Sequence, residues 1–193
     1  EVMAPAGLKA SRILLVGLGI PEDIGALTME AAGGMAVGHL MMSGEEKVSV
    51  AIDSISGSKI SAGDAAARFA YGMLLSSYRF DRYRTKLEKH KKPSLQSAIV
   101  MSRDAASSKK AFMPLERIAS GVYMTRDLVT EPPNIKYAAT IAEEARTLRK
   151  LGVKVEVLGE RRMRQLGMGA LLGVAQGSAH APRMVAMQWN GTA

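Results

Sequence analysis

Three stretches of the 193-residue sequence, and a scattered group of histidines, carry residue types associated with chemistry. QLGMGALLGVAQGS, residues 165–178, places glycines at Gly167, Gly169, Gly173 and Gly177, a composition suited to cradling phosphates. A Walker loop also needs Lys and then Ser or Thr after its last glycine, so that an ammonium and a hydroxyl reach the phosphates and their metal. Here Gly177 is followed by Ser178 and Ala179. The glycines are therefore read as permitting tight turns and close backbone packing. LVGLGIPEDIG, residues 15–25, leads an apolar run into Gly17-x-Gly19. A dinucleotide fingerprint needs a third glycine three residues on, but Glu22 stands there and would set a carboxylate against a pyrophosphate. A strand ending in a tight turn explains the stretch.

The third stretch is RFDRYRTKLEKHKK, Arg79 to Lys92, with seven Lys or Arg against two acids and with Phe80 and Tyr83 interleaved. Cations there would neutralise phosphates, and the aromatic rings would stack on bases. Arg79, Arg82, Arg84, Lys86 and Lys89 are the candidate nucleic-acid contacts. The competing reading is a solvated basic loop, since no helix-turn-helix, RRM or KH signature accompanies the charge. The fourth group is the histidines, His39, His90 and His180, which are far apart in sequence and lie in no H-E-x-x-H motif. No G-x-S-x-G is present either, so neither a zinc-helix motif nor a nucleophile elbow is written locally. The acid pairs Glu45-Glu46 and Glu143-Glu144 read as solvated surface.

The elements that must position these residues alternate between strand and helix. Arg12–Gly19 is a short apolar run and is expected as a buried strand. Asp23 is expected to cap a helix reaching about Leu40, although Gly33, Gly34 and Gly38 weaken it. Lys47–Ile52 alternates and is a second strand. Ser61 opens S-A-G-D, a capping-box pattern, before a helix that stacks Ala65, Phe69 and Met73. Leu95–Met101 is a third strand. A helix is expected from Pro114, a residue favoured in a first turn, to Thr130, stopped by Pro132 and Pro133. Tyr137–Leu151 is a helix with Ile141, Ala145 and Leu148 on one face, ended by Gly152. Val153–Leu158 is a strand, Glu160–Leu166 a charged helix and Arg183–Trp189 a last strand. This alternation gives an α/β class.

The bulk composition is that of a folded domain, 47% hydrophobic and 23% charged, and its 13 methionines against nine aromatics predict a core of aliphatic residues and Met. Without cysteine, disulfides and thiolate metal sites are excluded. No apolar run approaches the roughly 18 residues of a membrane span, and no signal peptide opens the chain. The net charge of +8 favours contact with polyanions or serves as a solubilising surface. A first residue other than Met is expected of a chain cut from a longer one.

Several stretches together resemble a known family. TRDLVTEPPN (125–134), an amphipathic helix, and GVKVEVLGERRMRQLGMGALLGVAQGSAHAPRMVAMQWNG (152–191) resemble the leucyl (cytosol) aminopeptidases, the M17 metallopeptidases. Thr130 departs from the Asn usual in that pattern. Upstream, APAGLKASRILLVGLG and YRFDRYRTK resemble the N-terminal domain of bacterial members.

The resemblance implies a cytoplasmic, hexameric exopeptidase that releases N-terminal residues, leucine favoured, from peptide substrates. It implies two divalent metals, zinc or manganese, held by one lysine, three aspartates and one glutamate. These ligands lie on motifs resembling G-K-G-x-x-F-D-T-G-G and N-T-D-A-E-G-R, where both metals polarise the scissile carbonyl and a bridging water attacks. Neither motif occurs in this chain, so no catalytic or metal residue is assigned, no metal is expected in it, and these 193 residues alone are expected to be inactive. The implied organisation is a macro-like α/β domain over 1–113, a linking helix over 114–131 and the opening of a catalytic domain over 132–193. Macro domains elsewhere bind ADP-ribose, but fold analogy alone transfers no function. Nucleic-acid binding or oligomer assembly through the basic N-terminal domain is the alternative.

Overall fold

The computed structural model of the chain describes residues 1–191. Its chain contacts divide into two compact units, one covering Glu1–Arg126 and one from Asp127 onward. Both are built of alternating helices and strands, which makes the architecture α/β.

In the first unit, a short antiparallel hairpin pairs β1 (Val2–Met3) with β2 (Arg12–Ile13). A parallel pair joins β3 (Lys47–Ile52) to β4 (Ser97–Ser102), with Lys47 beside Ser97 and Ile52 beside Ser102. Between them in sequence lies α2 (Ala62–Ser76), and α1 (Ala26–Leu40) packs against α2. The alternation of β3 turns Val48, Val50 and Ile52 toward Met29, Ala36, Phe69 and Met73. A second cluster joins Ala67 and Tyr71 of α2 to Leu115 and Ala119 of α3 (Ala105–Thr130). Fully burying a side chain such as Phe69 or Met29 stabilises the fold by about 1.5–3 kcal/mol.

The α1–α2 crossing depends on glycine. A Cβ added to Gly33 would overlap the Phe69 carbonyl oxygen and stand 2.9 Å from its carbon. One added to Gly72 would overlap the Glu30 carbonyl oxygen and stand 2.8 Å from the Glu30 Cα. The two helices thus meet backbone to backbone, and Gly33, which weakens α1 by propensity, is what lets it pack.

Several elements begin elsewhere than the sequence pattern predicts. Asp23 does not cap α1; it lies in a 3-10 turn, Pro21–Asp23, and Gly25 occupies the cap position with its N–H donated to Thr28 Oγ1 at 3.4 Å. Arg12–Gly19 forms a strand only at Arg12–Ile13. Beyond that, Val16 and Leu18 pack on the core while Leu15 is 74% exposed. The helix expected from Pro114 starts at Ala105, because Asp104 Oδ1 accepts the Ser107 N–H at 2.9 Å and nucleates the first turn. Pro114 then lies inside α3, where its missing N–H removes the helix donor to the carbonyl of Lys110, an exposed residue. Ser61 does cap α2, with its Oγ accepting from Asp64 N at 3.1 Å and donating to Asp64 Oδ2 at 2.8 Å.

The far half of α3 is stapled to the end of α2. Arg126 Nη1 donates to the Leu75 carbonyl at 2.6 Å and stacks over the Tyr78 ring at 5.4 Å. Tyr123 Oη donates to the Leu74 carbonyl. The Leu75 carbonyl thereby gains a cationic donor, while the Leu74 carbonyl, which also accepts from Ser77 N at 3.2 Å and Ser77 Oγ at 2.8 Å, gains a phenol.

The second unit contains α4 (Ala138–Thr147), a 3-10 turn Leu148–Leu151, β5 (Lys154–Leu158), α5 (Glu160–Gln165), α6 (Gly169–Ala175) and β6 (Met184–Gln188). β5 and β6 pair antiparallel, Val155 beside Met187 and Val157 beside Val185. Ala142 and Ala145 are the buried face of α4, whereas Ile141 is 43% exposed, so the apolar face is turned by one residue from the expected one. Small side chains are what allow α4 to lie on β5 and β6. Gly152, at φ 86°, ends the 3-10 turn as expected, and the Trp189 ring covers it. Trp189 itself is 61% exposed.

Candidate functional site

The basic stretch lies on residues 77–96, the connection from α2 to β4. Its β4 end is fixed by backbone bonds: Ser94 N to the Met41 carbonyl at 2.8 Å and Gln96 N to the Glu46 carbonyl at 2.8 Å. Its interior is organised by one acid. Asp81 accepts from Arg79 Nε at 2.7 Å and lies 3.7 Å from Arg84 Nε. The Arg79 hydrogen bond holds the Asp81 carboxyl below its ordinary pKa, with the charges of Arg79 and Arg84 adding to the effect. Arg79 also reaches the Lys91 carbonyl at 3.4 Å and is only partly exposed.

The five candidate contacts therefore separate. Arg79 is a strut of the connection. Arg84 shares Asp81. Arg82 lies 5.6 Å over the Phe80 ring, which is tilted against Tyr83 at 5.8 Å between centroids. Lys86 and Lys89 are exposed, as are Lys91 and Lys92. Glu88 pairs with Lys91 at 3.4 Å, and a 3-10 turn covers Lys89–Lys91. The organising role of Asp81 was written in the R-x-D-x-x-R spacing, which the count of acids against bases passed over.

The remaining sequence candidates stay apart. Gly19 takes φ 85° as a turn glycine, and the 3-10 turn separates it from α1, so no helix N-terminus opens directly behind Gly17-x-Gly19. In QLGMGALLGVAQGS, Gly167 takes φ 71°, and Met168 N bonds back to the Met163 carbonyl at 3.0 Å, a C-cap for α5. Gly169, Gly173 and Gly177 have open space where a Cβ would stand, so the close packing expected of them is absent, and Gly169–Ala175 forms a short helix instead.

The histidines have separate neighbours. His39 Nε2 is 3.5 Å from Glu1, His90 Nδ1 is 3.4 Å from Glu88, and His180 stacks on Tyr137 at 4.1 Å. Among the described residues no three His, Asp or Glu converge on a point where a metal could be held. An apolar cleft of about 530 Å³ runs between α2, β4 and the start of α3, lined by Met73, Val100 and Phe112, with Lys109 the one ionisable residue on its wall. One ammonium does not supply an acid–base pair.

Comparison with known families assigns both units. Residues 1–87 match the N-terminal domain of the cytosol aminopeptidase family, and residues 123–193 match its catalytic domain. The chain belongs to the cytosol aminopeptidase family. Relatives described as probable cytosol aminopeptidases are 45% identical in Agrobacterium fabrum and in Rhizobium leguminosarum bv. trifolii, each covering 99% of this chain. The chain spans 38% of the length of those relatives. Among solved structures, the bottromycin maturation enzyme BotP in complex with Mn superposes with a TM-score of 0.76 at 26% identity, covering 91% of this chain and 36% of that one. A tomato leucine aminopeptidase mutant superposes with a TM-score of 0.71 at 25% identity, covering 83% of this chain and 32% of that one. The resemblance carried by TRDLVTEPPN and LGMGALLGVAQGS is thus borne out at the level of family. The basic connection straddles the end of the matched N-terminal domain, with Glu88–Lys92 beyond it.

Proposed function

We propose that these residues are the N-terminal portion of a leucyl aminopeptidase, a two-metal exopeptidase that releases N-terminal amino acids from peptides. The observation that carries this reading is the pair of family matches in their proper order along a chain 45% identical to cytosol aminopeptidases over 99% of its length. The reading extends to a cytoplasmic homo-hexamer using manganese or zinc, and the Mn complex of the BotP neighbour supports metal dependence. Among the described residues no helix is long and apolar enough to cross a membrane.

Within it, residues 1–113 form the macro-like domain, 114–131 the linking helix and 132–193 the start of the catalytic domain. The division of contacts after Arg126, inside α3, supports a boundary in that helix. The residues present do not fit a two-metal centre, which needs several acids around ions about 3.5–4 Å apart. The described Asp, Glu and His side chains do not gather in that way. In this reading the chain's own contribution is structural: α4, β5 and β6 form a base on which the metal-bearing part of the catalytic domain is built.

The test is turnover of leucine p-nitroanilide with added manganese, measured for the whole peptidase and for these 193 residues. The whole peptidase turns the substrate over and the 193 residues do not. Clear, chelator-sensitive turnover by the 193 residues refutes the assignment of the metal site elsewhere. Sedimentation of both species reports whether hexamer assembly needs more than this portion.

A further inference from the structure

We propose that the cleft between α2, β4 and the start of α3 is a binding site for an aliphatic monocarboxylate of the fatty-acid type, within the first unit and separate from the peptidase reading. The cleft exists because its walls are built of small side chains. β4 turns Ala98, Val100 and Ser102 to one side by its alternation, and α2 sets Ala66 and Ala70 one turn apart along the same space. Such short side chains do not fill the gap between a strand and a helix. About 530 Å³ stays open along β4, whose six residues extend over roughly 17–20 Å.

One end of this apolar trough is polar. Ala105, Ser108, Lys109 and Phe112 recur at i, i+3, i+4 and i+7, so one face of α3 borders the cleft. Lys109 is the single ionisable group on the wall, and it forms no ion pair among the described residues. Ser102, at the same β4–α3 turn, carries an Oγ that is buried and without a hydrogen-bond partner. A buried hydroxyl left unpaired is costly, and a change of χ1 rotamer presents it to a ligand in the cleft that Ser102 lines. One cation and one spare donor beside an apolar trough match a single carboxylate with a hydrocarbon tail, the head at Lys109 and the tail along Val100 and Met73. A polyanion needs further cations, which this wall lacks, and a neutral lipid leaves the ammonium unused.

The experiment is isothermal titration calorimetry of the protein with octanoate, decanoate and dodecanoate, each below its micelle concentration. One site is expected, with affinity rising about fifteenfold for each two carbons added, since a buried CH2 contributes about 0.8 kcal/mol. Lys109→Met is expected to weaken dodecanoate about tenfold and to leave the weaker binding of dodecanol unchanged. Lys110→Met, the neighbouring lysine off the cleft wall, is the control and changes neither. Ser102→Ala is expected to weaken dodecanoate about threefold without lowering the Tm, because its hydroxyl has no partner to lose. Ala70→Leu and Ala98→Leu each put a larger side chain into the cleft and should abolish binding, while far-UV ellipticity verifies that each variant is folded. No measurable binding, affinity independent of chain length, or undiminished binding by both folded Leu variants overturns the proposal. So do equal losses in Lys109→Met and Lys110→Met, or equal affinity for dodecanol, because the first marks attraction to the basic surface and the second an apolar contact that reads no charge.

Discussion

Replacing Gly72 by Ala puts the α1–α2 crossing to a quantitative test. In a free helix the change is favourable by about 1 kcal/mol, because Ala loses less backbone entropy than Gly. At this position the new Cβ falls on the Glu30 carbonyl, with the Glu30 Cα at 2.8 Å, closer than real Cβ atoms approach any other heavy atom. The obstacle is helix backbone, which cannot rotate away as a side chain would. Ordinary contact near 3.5 Å requires the helices to separate by roughly 1 Å or more, which loosens Met29, Ala32 and Phe69 in the shared core. Overpacking of this kind costs about 1–3 kcal/mol, and more where the neighbour is rigid. At the upper end of that range, as a rigid backbone neighbour implies, a net loss of about 2 kcal/mol remains after the propensity gain, equivalent to a Tm lower by roughly 6–10 °C.

The assay is thermal and urea unfolding of the first unit, followed by ellipticity. Gly38→Ala is the internal comparison, because that glycine lies in the same α1 with open space around it and should stabilise by about 0.5–1 kcal/mol. Gly33→Ala should match Gly72→Ala, and the double variant should lose less than their sum, since one separation relieves both overlaps. If Gly72→Ala is as stable as the parent protein, the helices do not meet through their backbones and the reasoning fails.

Other outcomes follow from the same geometry. Ser61→Ala removes the cap of α2 and should cost about 1 kcal/mol in urea unfolding, with Ser61→Asp recovering most of it. Arg126→Ala leaves the Leu75 carbonyl without its charged donor and should destabilise the first unit by about 1.5–3 kcal/mol. The Asp81 carboxyl, lowered by Arg79, contributes stability at neutral pH that is lost as pH falls through its folded-state pKa. An NMR titration should place its midpoint below the ordinary carboxylate value, and Arg79→Gln should raise it.

The periodic elements were legible in the residues because their periods are set by burial. β3 alternates, α2 stacks Ala65, Phe69 and Met73, and Ser61 signs its own cap. What the sequence withheld was long-range. Gly33 and Gly34 looked like weak points of α1 until the backbone of α2 was found against Gly33. Pro114 looked like a helix start because its N–H is dispensable there, yet Asp104 begins the helix earlier and the carbonyl of Lys110, an exposed residue, goes without its helix donor. RILLVGLG has the composition of a strand but takes that form only where β1 offers partners. In the candidate site the charge run was plain, whereas its division into a strut, a shared ion pair and exposed lysines depends on where Asp81 and Glu88 sit. The glycines of QLGMGALLGVAQGS signalled the family while only Gly167 acts as a turn residue.

Trp189, the one tryptophan of the chain, lies in the second unit on the ring-covered Gly152. Its fluorescence is therefore a reporter confined to that unit, whereas ellipticity sums the helices of both. Denaturation followed by the two signals at once distinguishes cooperative melting of the whole chain, which superimposes the curves, from independent melting, which splits them.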